Sequence, residues 1–307
     1  MLRVVGIGDN VCDIYVDSRE MFPGGQALNF SVYAKKLGAS TAYMGVFGND
    51  DVARHIIQTL DEIGVDRSHC RHHEGENGYA LVQLVNGDRT FLGSNRGGIL
   101  KDHPIRLGEL DQSYIRGFDL IHTSNNSYFH DQIPSAYELG VPISYDFSKS
   151  WTDWRITEQI CPYLTYGFLS CSDMSEKEVI NVCERIHALG CNLVVATMGS
   201  EGAWLYDGEV TMFQKAQYVD TVDTLGAGDS FAAAFLVNYL LQTRENAGEA
   251  KAIPTDREEA YRQALLRASA FAAQSCLDRG AFGYGKTIPA AMENYITNVS
   301  TIKQENG

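Results

Sequence analysis

The sequence predicts an α/β fold with a mainly parallel central sheet, and three observations support this prediction. Short apolar runs alternate with amphipathic stretches, which is typical of parallel strands joined by crossover helices. The 307 residues suffice for one large α/β domain or two small ones and can bury a core without disulfides or a structural metal. Hydrophobic residues make up 44% and charged residues 21%, as in ordinary globular proteins.

The predicted elements follow in order along the chain. Strands are predicted at residues 3–8, 41–47, 120–123, 143–147, 168–171 and 193–197, and helices at 27–37, 52–63, 131–139, 176–189, 230–241 and 257–274. Two hairpins interrupt the alternation, one turning at Asn86-Gly87 and one at Asp207-Gly208. The first hairpin is predicted to leave the plane of the main sheet. The polar residues 242–256 are predicted to form a surface loop.

Charge and composition exclude several classes of function. Lys and Arg number 25 against 39 Asp and Glu, and the net charge of −14 argues against binding to nucleic acid or anionic membranes. No apolar run reaches transmembrane length, and the short apolar start does not resemble a signal peptide. Seven scattered cysteines without a C-x-x-C pair favour neither a zinc site nor a disulfide framework. We expect a reduced, cytoplasmic protein.

The strongest chemical motif is DTLGAGDSF at residues 223–231, followed by an apolar helix. Gly226, Ala227 and Gly228 allow a ligand to approach the backbone closely. The N–H groups and the dipole of the following helix then form a binding site for an anion such as phosphate. Asp229 stands beside this site, where a carboxylate can accept the proton of a hydroxyl nucleophile. An aspartate at a helix start is ordinary on its own, so the inference depends on the whole cluster.

A second group of polar residues lies near the N-terminus. Three side chains follow the first predicted strand: Asp9, Asn10 and Asp13. Ligands of open α/β sheets bind at such strand ends. Gly24 and Gly25 then precede a helix that carries Asn29. Carboxylates and an amide suit the hydroxyls of a polyol. A turn with a helix cap would explain the glycines, but not the convergence of these side chains.

Other nucleotide-binding patterns are weak or missing. The loop Thr197-x-Gly199-x-x-Gly202 follows a predicted strand and can host a nucleotide, although many hairpins have a similar composition. Gly226-x-Gly228 lacks the third glycine of a dinucleotide fingerprint, and no G-x-x-x-x-G-K-[ST] motif occurs. A nicotinamide oxidoreductase is therefore disfavoured.

Taken together, these motifs resemble those of the ribokinase (PfkB-type) carbohydrate kinases. The 223–231 stretch resembles the C-terminal signature of the family, Gly24-Gly25-x-Ala-x-Asn29 its N-terminal signature, and residues 197–202 its nucleotide loop. The resemblance runs from residue 3 to about residue 290. It implies a single three-layer ribokinase-like domain over residues 1–307, with a small β lid near residues 10–22 and 78–96. It further implies ATP and Mg²⁺, and a homodimer through the lid is a further hypothesis.

The resemblance also implies roles for individual residues. Asp229 would be the catalytic base, and the backbone of residues 226–228 would stabilise the transferred phosphoryl group. Substrate contacts are expected from Asp9, Asn10, Asp13, Gly24, Gly25, Asn29 and Arg96, and ATP contacts from Thr197, Gly199, Gly202, Thr224 and Ser269. Asp173 and Glu176 would organise Mg²⁺ through water, although the Asn of that family motif is missing here and acids at a helix start explain them equally. The resemblance also implies a K⁺ site that involves Asp223 and residues 280–285.

Within the family, the resemblance is to kinases of fructosamines. It involves residues 6–15, the short link to Gly24-Gly25, and Asp146-Phe147-Ser148 with nearby Trp151. It implies ATP-dependent phosphorylation at the primary hydroxyl O6 of a fructosamine such as fructoselysine. The alternatives are a PfkB-family kinase of another ketose, a sugar acid or a nucleoside, and a non-catalytic sugar-binding sensor. The intact Asp229 and glycine loop argue against the sensor.

Overall fold

The architecture comes from a computed structural model that describes residues 1–85, 88–248 and 257–293. The strands are β1 (Arg3–Gly8), β2 (Val11–Tyr15), β3 (Glu20–Gly24), β4 (Ser40–Phe47), β5 (Arg71–His72), β6 (Gly78–Val85), β7 (Asp88–Ser94), β8 (Leu120–Ser124), β9 (Ile143–Ser148), β10 (Tyr166–Ser170), β11 (Leu193–Thr197), β12 (Gly202–Tyr206), β13 (Thr211–Lys215) and β14 (Lys286–Thr287). The helices are α1 (Gln26–Lys36), α2 (Asp51–Ile63), α3 (Ile99–Asp102), α4 (Glu109–Ile115), α5 (Ile133–Tyr137), α6 (Trp154–Ile160), α7 (Glu176–Ala188), α8 (Ala227–Gly248) and α9 (Arg257–Ser275). Short 3₁₀ helices cover His130–Gln132, Ser150–Thr152, Cys161–Tyr163 and Ala290–Met292.

The described strands form two sheets. The larger has the order β13-β12-β11-β10-β9-β8-β1-β4-β5, and its strands are parallel from β11 to β5. The hairpin β12–β13 extends one edge in antiparallel fashion. The smaller sheet has the order β14-β3-β2-β6-β7, in which β2 and β6 are parallel and the other pairs antiparallel. The predicted α/β fold with a mainly parallel central sheet is therefore confirmed.

The main sheet is covered on both faces because neighbouring residues of a strand point to opposite sides. In β1, Val4 belongs to the apolar cluster that contains Phe30 of α1 and Phe235 of α8. Val5 belongs to a second cluster, which includes Ile133 of α5. The result is a three-layer arrangement that leaves the carboxyl ends of the parallel strands open at one edge.

The predicted element boundaries differ from the structure in two instructive places. Helix α8 begins at Ala227 and continues to Gly248, so residues 242–248 are helical rather than a loop. No proline or glycine interrupts this stretch before Gly248, and Arg244 forms an ion pair with Asp119. The helix predicted at 131–139 is a 3₁₀ turn followed by the short α5, with Pro134 at its start. The Asn86-Gly87 turn and residues 249–256 lie outside the described residues.

None of the described helices combines the length and apolar character that crossing a membrane requires.

Candidate active site

A cavity of about 1250 Å³ opens at the carboxyl ends of the parallel strands. Its wall includes a residue at or just after the end of each of β1, β9, β10 and β11, namely Asp9, Ser148, Ser170 and Thr197. The start of α8 completes this side, and the smaller sheet adds residues that include Asp13, Tyr79 and Val82. The cavity therefore lies where open α/β sheets bind ligands.

Asp229 is the third residue of α8 and is held by Asn29 of α1. The Asn29 Nδ2 donates a hydrogen bond of 2.6 Å to Oδ2 of Asp229, and both side chains are buried at the cavity wall. The Oδ1 atom of Asn29 is also buried, but it has no hydrogen-bond partner in the structure. A buried acceptor without a partner is unfavourable unless a ligand supplies the donor. The pair therefore offers a carboxylate and an amide oxygen to a hydroxyl group.

Asp13 reaches the cavity from the smaller sheet. It lies on β2, opposite Phe22 of β3, and it is buried. A Cβ on Gly24 would stand 2.5 Å from Oδ2 of Asp13, so the missing side chain makes room for the carboxylate. Gly24 itself does not line the cavity. The structure therefore gives Gly24 an indirect role, in which it makes room for the Asp13 carboxylate, and does not place it on the cavity wall.

Asp9 lines the cavity and also caps α1. Its carboxylate accepts hydrogen bonds from the N–H groups of Gln26 (2.8 Å) and Ala27 (3.2 Å), and from the hydroxyls of Ser124 (3.0 Å) and Ser127 (3.1 Å). These four bonds use the normal acceptor capacity of a carboxylate. Asp9 therefore neutralises the positive end of the α1 dipole with its own charge.

The structure does not support the predicted substrate contact of Asn10. Its Nδ2 donates to the Tyr43 hydroxyl (2.9 Å) and the Val46 carbonyl (3.0 Å), while its Oδ1 accepts a bond of 2.8 Å from Asn77. Asn10 is buried in this network and does not line the cavity. Gly25 does line it, at φ 113°, and a Cβ there would meet a backbone oxygen at 2.7 Å.

The start of α8 faces the cavity with Gly226, Ala227 and Gly228. Gly226 has φ 74°, and a Cβ there would stand 2.8 Å from Cβ of Ala281. The N–H groups in the first turn of a helix lack helical acceptors, and the dipole adds positive potential. The N–H of Ala227 already donates to the Thr224 carbonyl at 3.3 Å. The loop and helix start therefore have the geometry of an anion site, with one of the three predicted donors partly engaged.

Asp223 ties this loop to the C-terminal segment. Its buried carboxylate accepts from the N–H groups of Leu225 (3.0 Å) and Gly280 (2.9 Å) and from the Tyr15 hydroxyl (2.5 Å). These contacts give Asp223 a structural role in holding the anion loop. The K⁺ site suggested for Asp223 and residues 280–285 stays a prediction.

The predicted ATP contacts all lie on the cavity wall: Thr197, Gly199, Gly202, Thr224 and Ser269. The Thr197 hydroxyl donates to the carbonyl of Leu169 (3.1 Å). The Ser269 hydroxyl accepts from the N–H of Gln217 (3.1 Å) and donates to the carbonyl of Lys215 (3.3 Å). The two hydroxyls therefore hold neighbouring segments of the wall together, while Gly199 and Gly202 leave space for a ligand beside it.

The two acids predicted to organise Mg²⁺ do not line the cavity. The Asp173 side chain is 84% exposed and pairs with Nζ of Lys149 at 3.1 Å. Glu176 is the exposed first residue of α7, where the helix dipole favours an acid. In the described parts of the chain, no group of three or more His, Cys, Asp or Glu side chains is arranged to hold a metal ion. The role of Asp173 and Glu176 in organising Mg²⁺ through water therefore stays a prediction.

Arg96 lies just after β7, where the chain leaves the smaller sheet. It has φ 57°, and its carbonyl accepts a 2.7 Å hydrogen bond from the Tyr128 hydroxyl. Its exposed side chain lines the cavity and makes no ion pair with any acid of the described residues. The guanidinium is therefore available to an anionic group of a ligand.

Sequence reasoning assigned no role to a further set of cavity residues: Gln26, Asn126, Tyr128, Asp146 and Ser148. Asp146 is 7% exposed and accepts a 2.7 Å hydrogen bond from the N–H of Ser148. Burial raises the pKa of Asp146 to about 6; the Ser148 N–H and the Gln26 side chain oppose this rise, and the Asp9 charge adds to it. The sequence signal for Asp146 and Ser148 is their part in the resemblance to fructosamine kinases, near the end of a predicted strand, although that resemblance gave them no role.

We expect Asp146→Asn to stabilise the ligand-free protein at high pH. A raised pKa means that ionised Asp146 disfavours the folded state, by about 3 kcal/mol above pH 6. The penalty is absent below the ordinary pKa near 3.8 and grows as the pH rises through about 6. Urea unfolding should show a more stable variant at pH 8 and a smaller difference at pH 4.5. A variant less stable than the wild type at pH 8 would contradict this expectation.

The fold and this site define a ribokinase-like kinase of sugars. The chain matches the pfkB family carbohydrate kinases over residues 2–146 and 167–283, and it belongs to that family. The family makes the protein a sugar phosphotransferase.

Named relatives support the same family. Fructosamine kinase FrlD of Bacillus subtilis (strain 168) is 39% identical over 285 residues, covering 92% of this chain and 94% of that protein. Fructoselysine 6-kinase of Escherichia coli (strain K12) is 31% identical over 239 residues, covering 78% and 90%. The structure of Arabidopsis thaliana ribokinase complexed with ribose and ATP matches with a TM-score of 0.73 at 21% identity, covering 97% of this chain and 98% of that one.

Proposed function

We propose that this carbohydrate kinase transfers the γ-phosphoryl group of ATP to O6 of a fructosamine such as fructoselysine. The observation that carries the proposal is the Asn29–Asp229 pair beside the N-terminus of α8. The two relatives named as fructosamine and fructoselysine kinases support the choice of substrate. The ribokinase complex with ATP supports the choice of phosphoryl donor.

In this mechanism Asp229 accepts the proton of the attacking hydroxyl. The bond between O6 and the γ-phosphorus forms as the bond from that phosphorus to the ADP oxygen breaks, and ADP leaves. Asn29 orients the carboxylate through its 2.6 Å hydrogen bond, while its Oδ1 and Asp13 accept from sugar hydroxyls. The N–H groups at the start of α8 stabilise the charge of the transferred phosphoryl group.

ATP would lie along the wall formed by residues 197–202, Thr224 and Ser269. Mg²⁺ would enter as part of MgATP and neutralise phosphate charge. Because Gly199 and Gly202 have no side chains, the flat base of a nucleotide can lie close to the backbone of this wall. This placement puts the γ-phosphate at α8, between the nucleotide wall and the Asn29–Asp229 pair.

The smaller sheet would act as a lid over the sugar within one domain of residues 1–307. It contributes Tyr79, Val82 and Phe91 to the cavity, and Phe91 is 62% exposed. Closure of such apolar side chains over the sugar would exclude water as a competing acceptor. The outer strand β7 is an edge of this sheet, which is compatible with the hypothesis of a homodimer through the lid.

The carboxylate of an amino-acid substituent would explain why Arg96 lies on the cavity wall. A fructosamine of an amino acid carries this group at the end remote from O6, and a guanidinium binds a carboxylate in bidentate fashion. Neutral ketoses such as fructose lack the group. The position of Arg96 on the cavity wall therefore favours the fructosamine over an unsubstituted ketose.

A substrate panel tests the proposal. We expect ADP release with fructoselysine to have a higher kcat/KM than with fructose, ribose, 2-keto-3-deoxygluconate or adenosine, and the product to carry phosphate at O6 by NMR. A preference for another member of the panel would show that the proposed substrate is wrong. A phosphate at a position other than O6 would show that the proposed position of phosphorylation is wrong. Both would leave the sugar phosphotransferase activity intact.

A further inference from the structure

The cavity carries more negative charge than the proposed phosphoryl transfer uses. Among the described residues on its wall, the acidic side chains are Asp9, Asp13, Asp146, Asp220 and Asp229, and Arg96 is the single basic one. Asp229 accepts the proton, Asp13 faces the sugar and Asp9 caps α1. Asp220 is exposed and takes a hydrogen bond from a neighbouring tyrosine. Asp146 alone is buried on this wall without a role.

Asp146 lacks a cationic partner among the described residues. Its carboxylate accepts the N–H of Ser148 at 2.7 Å, and the Gln26 side chain lies near enough to lower its pKa; both groups are neutral. Removing a carboxylate from water is unfavourable unless a cation or several hydrogen bonds compensate. The nearby Asp9 carboxylate increases the cost. A ligand with a positive charge would supply what this site lacks.

Asp146 and Asp229 line the same cavity from two different elements, β9 and α8. The start of α1 stands beside both, because Gln26 lies near enough to affect the pKa of Asp146 and Asn29 donates to Asp229. Gln26 and Asn29 are three positions apart on α1 and therefore share one face. C1 and C6 are the two ends of a ketohexose, so a sugar with O6 at Asp229 would present the substituent on C1 to another part of this wall.

We propose that the Asp146 carboxylate binds the protonated nitrogen on C1 of the fructosamine and thereby selects aminated over neutral ketoses. The inference rests on the proposed function and adds a specificity residue to it. A charge-assisted hydrogen bond in a buried site is stronger than a neutral one. Arg96 would bind the carboxylate of the same substituent, so the two residues together recognise opposite charges on one ligand.

The test is the substrate preference of Asp146→Asn. We expect kcat/KM for fructoselysine to fall about 10- to 100-fold, because a charged hydrogen bond becomes a neutral one. For fructose, kcat/KM should stay within about threefold, since no cationic nitrogen is present. Asp220→Asn removes the same charge from another part of the wall and should leave the ratio of the two substrates unchanged. Calorimetric dissociation constants for both sugars should show the same pattern.

The outcomes separate this inference from the proposed function. A wild-type enzyme that prefers fructoselysine, together with an Asp146→Asn variant that loses the preference, supports both. If the variant keeps the preference, or loses activity equally with both sugars, Asp146 does not bind the nitrogen and this inference alone is wrong. If the wild type prefers fructose, both proposals are overturned.

Discussion

Asp229→Asn should lower kcat by about a thousandfold with little change in the KM of either substrate. The substitution removes the proposed proton acceptor but keeps an oxygen that can accept the Nδ2 hydrogen bond of Asn29, which is 2.6 Å long in the wild type. The side chain is buried beside the start of α8, so water cannot easily take over the role of base. Steady-state kinetics with the best substrate of the panel would measure the effect.

Asp220→Asn is the matched control for this experiment. It removes the same charge from the same cavity, but the Asp220 side chain is exposed and accepts its hydrogen bond from Tyr218. Its kcat should stay within about threefold of the wild-type value, as for most surface substitutions. Near-wild-type turnover of Asp229→Asn, in a preparation free of wild-type enzyme, would exclude Asp229 as the base.

Two glycine substitutions at the anion loop should separate folding from catalysis. Gly226→Ala places a Cβ 2.8 Å from Cβ of Ala281 at φ 74°, so we expect a loss of about 1–3 kcal/mol in unfolding free energy and about a hundredfold in kcat. In Gly228→Ala the new Cβ meets no heavy atom within 4 Å. This methyl group would stand in the cavity, where the phosphate is proposed to bind.

Gly228→Ala should therefore lose activity without losing stability. Alanine favours the helix over glycine, so the unfolding free energy should stay level or rise by up to about 1 kcal/mol. The KM for ATP should rise, because the methyl group displaces the phosphate. Denaturant unfolding and initial rates on the same preparations give both quantities. Unchanged kinetics of Gly228→Ala would place the phosphate elsewhere.

The fold was predictable because its signals are local. Strands such as β1 and β11 are short apolar runs, the first followed by Asp9 and the second ended by Thr197, and the parallel order follows from the helices between the strands. The motif at residues 226–229 likewise combines a tight turn with a helix start in consecutive residues. Both kinds of information are contained in neighbouring positions.

The roles of single polar residues were less predictable because they depend on distant partners. Asn10 and Asp13 stand on the same short segment, yet Asn10 binds Tyr43 and Asn77 in the interior while Asp13 faces the cavity. The Asp9 carboxylate accepts hydrogen bonds from the start of α1 and from two serines, of which Ser124 ends β8 and Ser127 follows it. The sequence alone does not show which partners arrive from more than a hundred residues away.

The capping of α1 by Asp9 has a consequence for the direction in which a substrate can bind. Two helix starts meet at the cavity. The Asp9 carboxylate accepts from the N–H groups of Gln26 and Ala27 at the start of α1, so a phosphate there would meet a like charge. At α8 the carboxylate of Asp229 is held by Asn29 and would accept the proton in the proposed transfer. We therefore expect the phosphate end of ATP to lie at α8 and not at α1, which sets the direction of a substrate within the cavity.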